Sequence, residues 1–508
     1  MILYAIFLFT LIFTQEYYDG YLIYTPGGGG GQGVSGSTTY LRSGDGLDII
    51  KSWSHSSGPA SMPYLFRTDQ PGLENSLLYY PSRSNQTVMD SGGVGGQISI
   101  YDWNGTLLWN YVIAGRLNEI TNNNRFQHHH DIEPLPNGNI LVIAWEELYQ
   151  SEWSNFGFST IQNGIVWSTA ILELKPNLET GQTEIVWEWY IKDHLVQNVN
   201  PSLDNYAENI SDHPELMNPN INTIGGGFGG GSDWMHINAI DYNEDLDQII
   251  LSSRFMDEIY IIDHSTTTEE AASHSGGNSN KGGDFLYRWG KPENYGRGNE
   301  SNHLLGDQHS INWIDKNIEN GGGNLICYVN QLPTNPSRAA VVEFIPPLMD
   351  DGNYYIEDGE PWGPNDYEWI VTATGQNPNF TSSMQGGAFR LPNGNTLISD
   401  CDSATIYETD EDGNFIQNSA NQDYLYRINA QNAMIARAQK YSPDYFEGEA
   451  GILGDLNDDG NINVADIILV VNVILGLTQY NSLADMNDDG NINVQDIILI
   501  VNIILFNN

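Results

Sequence analysis

Leu135-Pro136-Asn137-Gly138-Asn139-Ile140-Leu141 returns, 256 residues later, as Leu391-Pro392-Asn393-Gly394-Asn395-Thr396-Leu397. An Asn-Gly pair between two apolar runs is the turn of a β-hairpin, because glycine accepts a positive φ that other residues resist. A looser copy, Gly321-Gly322-Gly323-Asn324-Leu325-Ile326, lies between them. After each turn comes a strand, then a segment such as Ala170-Ile171-Leu172-Glu173-Leu174 or Ala404-Thr405-Ile406-Tyr407-Glu408, then an aromatic strand such as Val186-Trp187-Glu188-Trp189. The hydrophobic period is two, so short strands dominate. Repeated four-strand units of this kind predict a mainly β chain folded as a β-propeller.

Spacing sets the number of blades. His236 and His309 are 73 residues apart, and His309 and Gln385 are 76 apart. The interval from His130 to His236 is longer because a Gly- and Asn-rich insertion, roughly 195–232, interrupts it. Units of this length imply six blades, two early ones around 60–90 and 98–112 helping to complete the ring. A pair of β-sandwiches is the alternative, which the even aromatic spacing disfavours. In a propeller, equivalent strand starts converge on the central channel, so His130, His236 and His309, each at the opening of a repeat, become neighbours. A single histidine is more often a hydrogen-bonded structural group, and His55, His194, His213, His264, His274 and His303 are read that way. Strand alternation puts His128 on the same face as His130, so either could reach the channel.

Acidic residues exceed basic ones by 65 to 19 in a 508-residue chain, a formal charge of −46. Such a surface repels nucleic acid and anionic membranes. The first 13 residues are apolar, too short to span a bilayer comfortably but suited to a signal-peptide core, and no other run is long enough to cross a membrane. Secretion is the expectation, to the extracellular space, a cell surface or the periplasm. Cys327 and Cys401 are paired in an oxidising compartment or are buried thiols; the sequence leaves both open. The resulting division is a signal peptide at 1–15, a low-complexity N-terminal segment at 16–60, the propeller at 61–440, a linker at 441–451 and a small α-helical domain at 452–508.

That last domain repeats one loop. Asp455, Asn457, Asp459, Asn461, Asn463 and Asp466 occupy positions 1, 3, 5, 7, 9 and 12 of the first copy, and Asp485, Asn487, Asp489, Asn491, Asn493 and Asp496 those of the second, with Gly460 and Gly490 at position 6. This is the oxygen-ligand pattern of an EF-hand calcium loop, so two calcium ions are expected. Each loop leads into an apolar run, 467–475 or 497–505. With Asp at position 12 and no helix before the first loop, the region resembles a type I dockerin. That resemblance implies docking to a cohesin or a cell-surface scaffold, with recognition positions at Val464-Ala465 and Val494-Gln495.

From about 90 to 430 the chain resembles bacterial arylsulfate sulfotransferases, six-bladed propeller enzymes. The likeness rests on His130-Asp131 before the Leu-Pro-Asn-Gly-Asn turn, His236 and Asn238, Arg254 in Ser252-Ser253-Arg254-Phe255, Gln308-His309, and Gly386-Gly387-Ala388-Phe389-Arg390-Leu391. It implies transfer of a sulfuryl group from an aryl sulfate to a phenolic acceptor by a ping-pong route without a nucleotide cofactor. His309 matches the nucleophile that becomes a sulfohistidine, while His130, His236, Asn238 and Arg254 match the residues holding sulfate oxygens. Those residue types suit the chemistry, which needs in-line attack and stabilised oxygen charge. Family members carry an N-terminal β-domain linked to dimer formation, for which residues 16–60 leave little room. Two other readings are a glycan- or ligand-binding propeller without catalysis and a dockerin-borne polysaccharide hydrolase or lyase. The latter needs a carboxylate pair flanking the bond, and none stands out.

Overall fold

The computed structural model describes residues 17–27, 36–120, 124–159, 161, 164–222, 231–372, 380–416, 426–427, 434–446, 454, 456–457, 462–475, 482–484, 486–487 and 492–506. The signal-peptide reading of 1–15 lies outside them, as do the calcium-ligand assignments at Asp455, Asp459, Asn461, Asp485, Asp489 and Asn491.

Six antiparallel sheets form a six-bladed propeller. Blade one holds Tyr64–Phe66, Leu77–Arg83, Gly96–Tyr101 and Leu107–Val112. Blade two is built from Phe126–Pro134, Ile140–Tyr149, Ile165–Pro176 and Thr183–Tyr190, with the short Ala114–Gly115 strand added at its inner edge. Blade three follows with Ile237–Asn243, Gln248–Ser253, Glu258–Asp263 and Tyr287–Trp289, and blade four with His309–Trp313, Leu325–Val329, Ala340–Phe344 and Trp369–Thr372. Gly387–Arg390, Thr396–Asp400, Thr405–Thr409 and Tyr426–Arg427 make blade five. Blade six joins the two ends of the ring: Ile435–Tyr441 pairs with Tyr21–Pro26, which continues into Ser37–Arg42 and Ile49–His55. Three strands of this blade come from 21–55, which the sequence reading set outside the propeller. Their Tyr/Ser/Thr composition hides a strand pattern that becomes legible only once the partner strand, more than 400 residues away, is known.

The repeated turns sit where the motif implies. Leu135 and Leu391 each donate their backbone N–H to the asparagine four residues on, Asn139 and Asn395, and Gly138 and Gly394 take φ of 83° and 86°. Each links the first and second strands of a blade.

Four of the seams between blades are closed by tryptophans of the fourth strands. Trp53 of blade six donates its indole N–H to Asp102 O in blade one, and Trp109 of blade one to Gln182 O and Thr183 Oγ1 in blade two. Trp187 and Trp189 of blade two donate to Thr266 Oγ1 and Gly283 O in blade three, and Trp289 of blade three to Pro364 O in blade four. In each case the acceptor lies in the connection between the third and fourth strands of the next blade, or at its end. An indole fits this place because it buries roughly 150–250 Å² and still has one N–H to satisfy. This accounts for the aromatic strand in the sequence repeat.

Cys327 and Cys401 are both buried and unpaired thiols. Among the described residues no helix is long and apolar enough to cross a membrane.

The second compact unit comprises 67–76 and 442–508. Its helices run over Val464–Ile474 and Val494–Phe506. Val470, Ala484 and Ile500 are fully buried between them, with Ile467, Ile497 and Met486 packed around. The core repeats at the 30-residue offset of the loops, and so does the exposed apolar set: Val464 and Val494, Ile468 and Ile498, Leu475 and Leu505. A helix apolar nearly all round thus covers one face internally and leaves another to solvent.

Candidate active site

The first strand of three successive blades is bulged where its histidine sits. Pairing slips between Val142 and Ala144 opposite His130, between Ile237 and Ala239 beside His236, and between His309 and Asn312. A bulge re-aims side chains, and here His130 and His236 both take φ of 54° and Ser310 takes 58°. Simple alternation therefore fails at this point. The His128 ring turns into the wall, its Nδ1 accepting from Gly96 N at 2.9 Å. His130 instead meets His236 edge to face, with ring centroids 4.7 Å apart. Of the two alternatives left by the sequence, His130 is the one facing another of the three histidines.

His309 is 4% exposed. Its Nδ1 lies 2.7 Å from Asn330 Oδ1, and Asn330 Nδ2 donates to Ser382 O and Gln385 O at 2.8 and 2.7 Å. Because both amide hydrogens go to carbonyls, the oxygen must face His309, and His309 Nδ1 must carry the hydrogen. That leaves a lone pair on Nε2. Burial holds His309 well below the usual histidine range, and the nearby Arg254 charge adds to the effect, so both favour the neutral ring.

His236 also has its Nδ1 occupied, for a different reason. Its Nδ1 donates to Asp233 Oδ2 at 2.5 Å, and Trp145 Nε1 holds the other Asp233 oxygen at 3.0 Å. Phe255 stacks on the His236 ring, centroids 4.6 Å apart. His130 shares a hydrogen between its Nδ1 and that of His129 at 2.9 Å, and burial, followed by the His236 and His129 rings, keeps it well below its ordinary value. Residues 91–96 close over this group. A Cβ on Gly93 would lie 2.0 Å from His130 Nε2, and one on Gly92 would lie 3.4 Å from His236 Cε1, so the loop approaches as glycine backbone.

Two arginines supply positive charge. Arg254 Nη2 donates to Asp307 Oδ2 at 2.9 Å, while its Nε is buried with no partner among the described residues. Arg437, on the strand that completes the ring, pairs with Asp131 and donates to Ser61 Oγ at 2.7 Å. Asn238 donates to Gln308 O at 2.7 Å, bracing the backbone next to His309. Glu133 and Asp241 line the same strands; burial pushes both up, Asp241 to about 7.

Asn330, Asp233, Asp307 and Arg437 were not picked out from sequence. Asn330 directly follows Leu325–Val329 as Arg254 follows Gln248–Ser253, the same place one blade on. That offset could have found it. Arg437 had no local signal, since its position depends on ring closure.

In the C-terminal unit the described members of the calcium set are Asn457, Asn463, Asp466, Asn487, Asn493 and Asp496. The buried Asp466 carboxylate accepts from Leu456 N, Asn457 N and Asn463 N, and Asp496 accepts from Met486 N and Asn493 N. The described loop residues thus converge on the position-12 carboxylate of each copy. An all-oxygen donor set of this kind fits calcium.

Residues 86–351 match the model of the family described as Arylsulfotransferase (ASST), more than half of the chain. The chain belongs to the arylsulfotransferase family. Residues 453–505 match the Dockerin type I domain, so the chain also carries a dockerin of a calcium-binding class. No curated protein matches it. Similar solved structures include a protein of unknown function from Bacteroides caccae, 12% identical, covering 83% of this chain and 99% of that one with a TM-score of 0.41. Another is the periplasmic gluconolactonase of Pseudomonas aeruginosa, 10% identical, covering 83% and 99% with a TM-score of 0.37.

Proposed function

We propose that this arylsulfotransferase moves a sulfuryl group from an aryl sulfate to a phenol through a covalent intermediate on His309. The observation that carries this reading is the fixed His309 tautomer: Asn330 holds Nδ1–H, so a neutral Nε2 is presented beside cationic Arg254. In the first half-reaction Nε2 attacks sulfur, the N–S bond forms and the S–O bond to the phenolate breaks. Arg254 holds sulfate oxygens with the donors that Asp307 leaves free. His236 enters the first half-reaction doubly protonated, its Nδ1–H on Asp233; it gives its Nε2 proton to the leaving phenolate and regains one from the incoming phenol in the second half-reaction. His130 supports the same oxygens, and Asn238 positions the His309 backbone. Phe255 gives an aromatic surface next to His236 for the ring of the donor. Secretion, calcium in the two loops and attachment to a cohesin partner through the exposed Val464, Ile468, Val494 and Ile498 complete the reading.

The test is mass analysis of the intact protein and its peptides after brief exposure to a chromogenic aryl sulfate, with phenol release followed in parallel. The expected result is one sulfuryl group on the His309 peptide, discharged by a second phenol and absent from His309→Ala. No release and no adduct across several donors would favour a ligand-binding propeller instead.

A further inference from the structure

We infer that His194, His274 and Asp284 form a transition-metal site of the zinc type, which clamps blade two to blade three. His194 Nδ1 and His274 Nδ1 both lie 2.8 Å from Asp284 Oδ1, and the three atoms fall within 4.8 Å of one another. Bonds of about 2.1 Å to a tetrahedral ion hold ligands about 3.4 Å apart, between those two separations.

The hydrogen bonding of His194 calls for a positive centre. Its Nε2 lies 2.8 Å from Ala271 O. A carbonyl only accepts, so Nε2 carries the hydrogen, and Nδ1, 2.8 Å from Asp284 Oδ1, needs either a proton or a metal between it and that oxygen. A metal satisfies both nitrogens and the oxygen together, and a backbone carbonyl on the far nitrogen is the usual support of a ligating histidine. His194 and Asp284 are buried, while the His274 side chain is 60% exposed, which leaves a face for a water ligand and for entry. Two imidazoles and one carboxylate suit zinc and neighbouring metals, whereas calcium takes oxygen ligands.

The position gives the site a purpose. His194 follows the last strand of blade two, and His274 and Asp284 belong to the third connection of blade three, the seam where Trp187 and Trp189 donate their indole hydrogens. The backbone is pressed in here: a Cβ on Gly283 would stand 2.6 Å from His194 Nε2.

The experiment is equilibrium dialysis of the full chain against zinc chloride in excess calcium, with metal content and melting temperature measured for wild type, His274→Ala, Asp284→Asn and His309→Ala. Wild type and His309→Ala should hold one equivalent of zinc more than His274→Ala and Asp284→Asn, and zinc should raise the melting temperature only of the first two. His274 is exposed, so its variant should fold whatever the fate of Asp284→Asn. Equal zinc content in wild type and His274→Ala, or no zinc in wild type, would overturn the assignment.

Discussion

His309 presents Nε2 only while Asn330 holds the other nitrogen, so the amide is worth more to the rate than to binding. Asn330→Ala should lower kcat about 10- to 100-fold, the range for losing a histidine's supporting hydrogen bond, with KM changing little. Steady-state kinetics with an aryl sulfate check this, and His309→Ala should have no transfer at all. Elsewhere His264 bridges Asp247 and Glu173 at 2.7 and 3.1 Å; burial opposes its charge, but these bonds raise it to about 9. The folded value exceeds the unfolded one of about 6.5, so its stabilisation is complete below pH 6.5 and lost as pH rises toward 9. Melting curves of wild type and His264→Gln should therefore differ most at pH 6 and converge above pH 9, the difference at low pH being on the order of 1–3 kcal/mol. The three channel histidines and Arg254 were legible because each opens or follows a strand at a repeated offset. Asn330 and Asp233 were not, since an uncharged amide and a carboxylate among 65 acidic residues gain meaning only from the ring they face.

The 91–96 loop and the hairpin turn use glycine for different ends, which separates stability from activity at the level of the element. Gly138 has φ of 83° and a Cβ there meets nothing within 4 Å. Gly138→Ala should cost about 1–2 kcal/mol of stability through left-handed strain and leave sulfuryl transfer intact. Gly93 has φ of 73°, and its Cβ would overlap the His130 ring. Gly93→Ala should displace that ring or the 91–96 loop and reduce kcat at least tenfold, beyond any change in melting temperature. Paired thermal melts and rate measurements on the two variants check this contrast. The turns were readable because Asn-Gly is a local code. The bulges were not, because a residue such as His130 with positive φ carries no mark in the sequence, and assuming strict alternation left His128 and His130 equivalent.

The propeller is one object only when its ends meet, and the closure is tied to the site. Ile435–Tyr441 hydrogen-bonds along Tyr21–Pro26 and carries Arg437, whose guanidinium neutralises buried Asp131 beside His130. Closure and chemistry were therefore hidden together: the aromatic repeat announced the middle blades, but nothing between residues 21 and 55 signals a partner at 435. A truncation series measures this coupling. A chain ending at 450 keeps the closing strand and should melt cooperatively with transfer within about twofold of the full chain, since the dockerin loops lie beyond it. A chain ending at 434 loses the strand and leaves Asp131 buried without its cation, a change worth about 3–5 kcal/mol where one partner of a buried pair is removed. The open edge left on Tyr21–Pro26 would add to that loss. Calorimetry should show a broadened, lower transition for the shorter chain, and aryl sulfate turnover should vanish with it. Full turnover in the chain ending at 434 would mean that Arg437 and ring closure contribute nothing to the site.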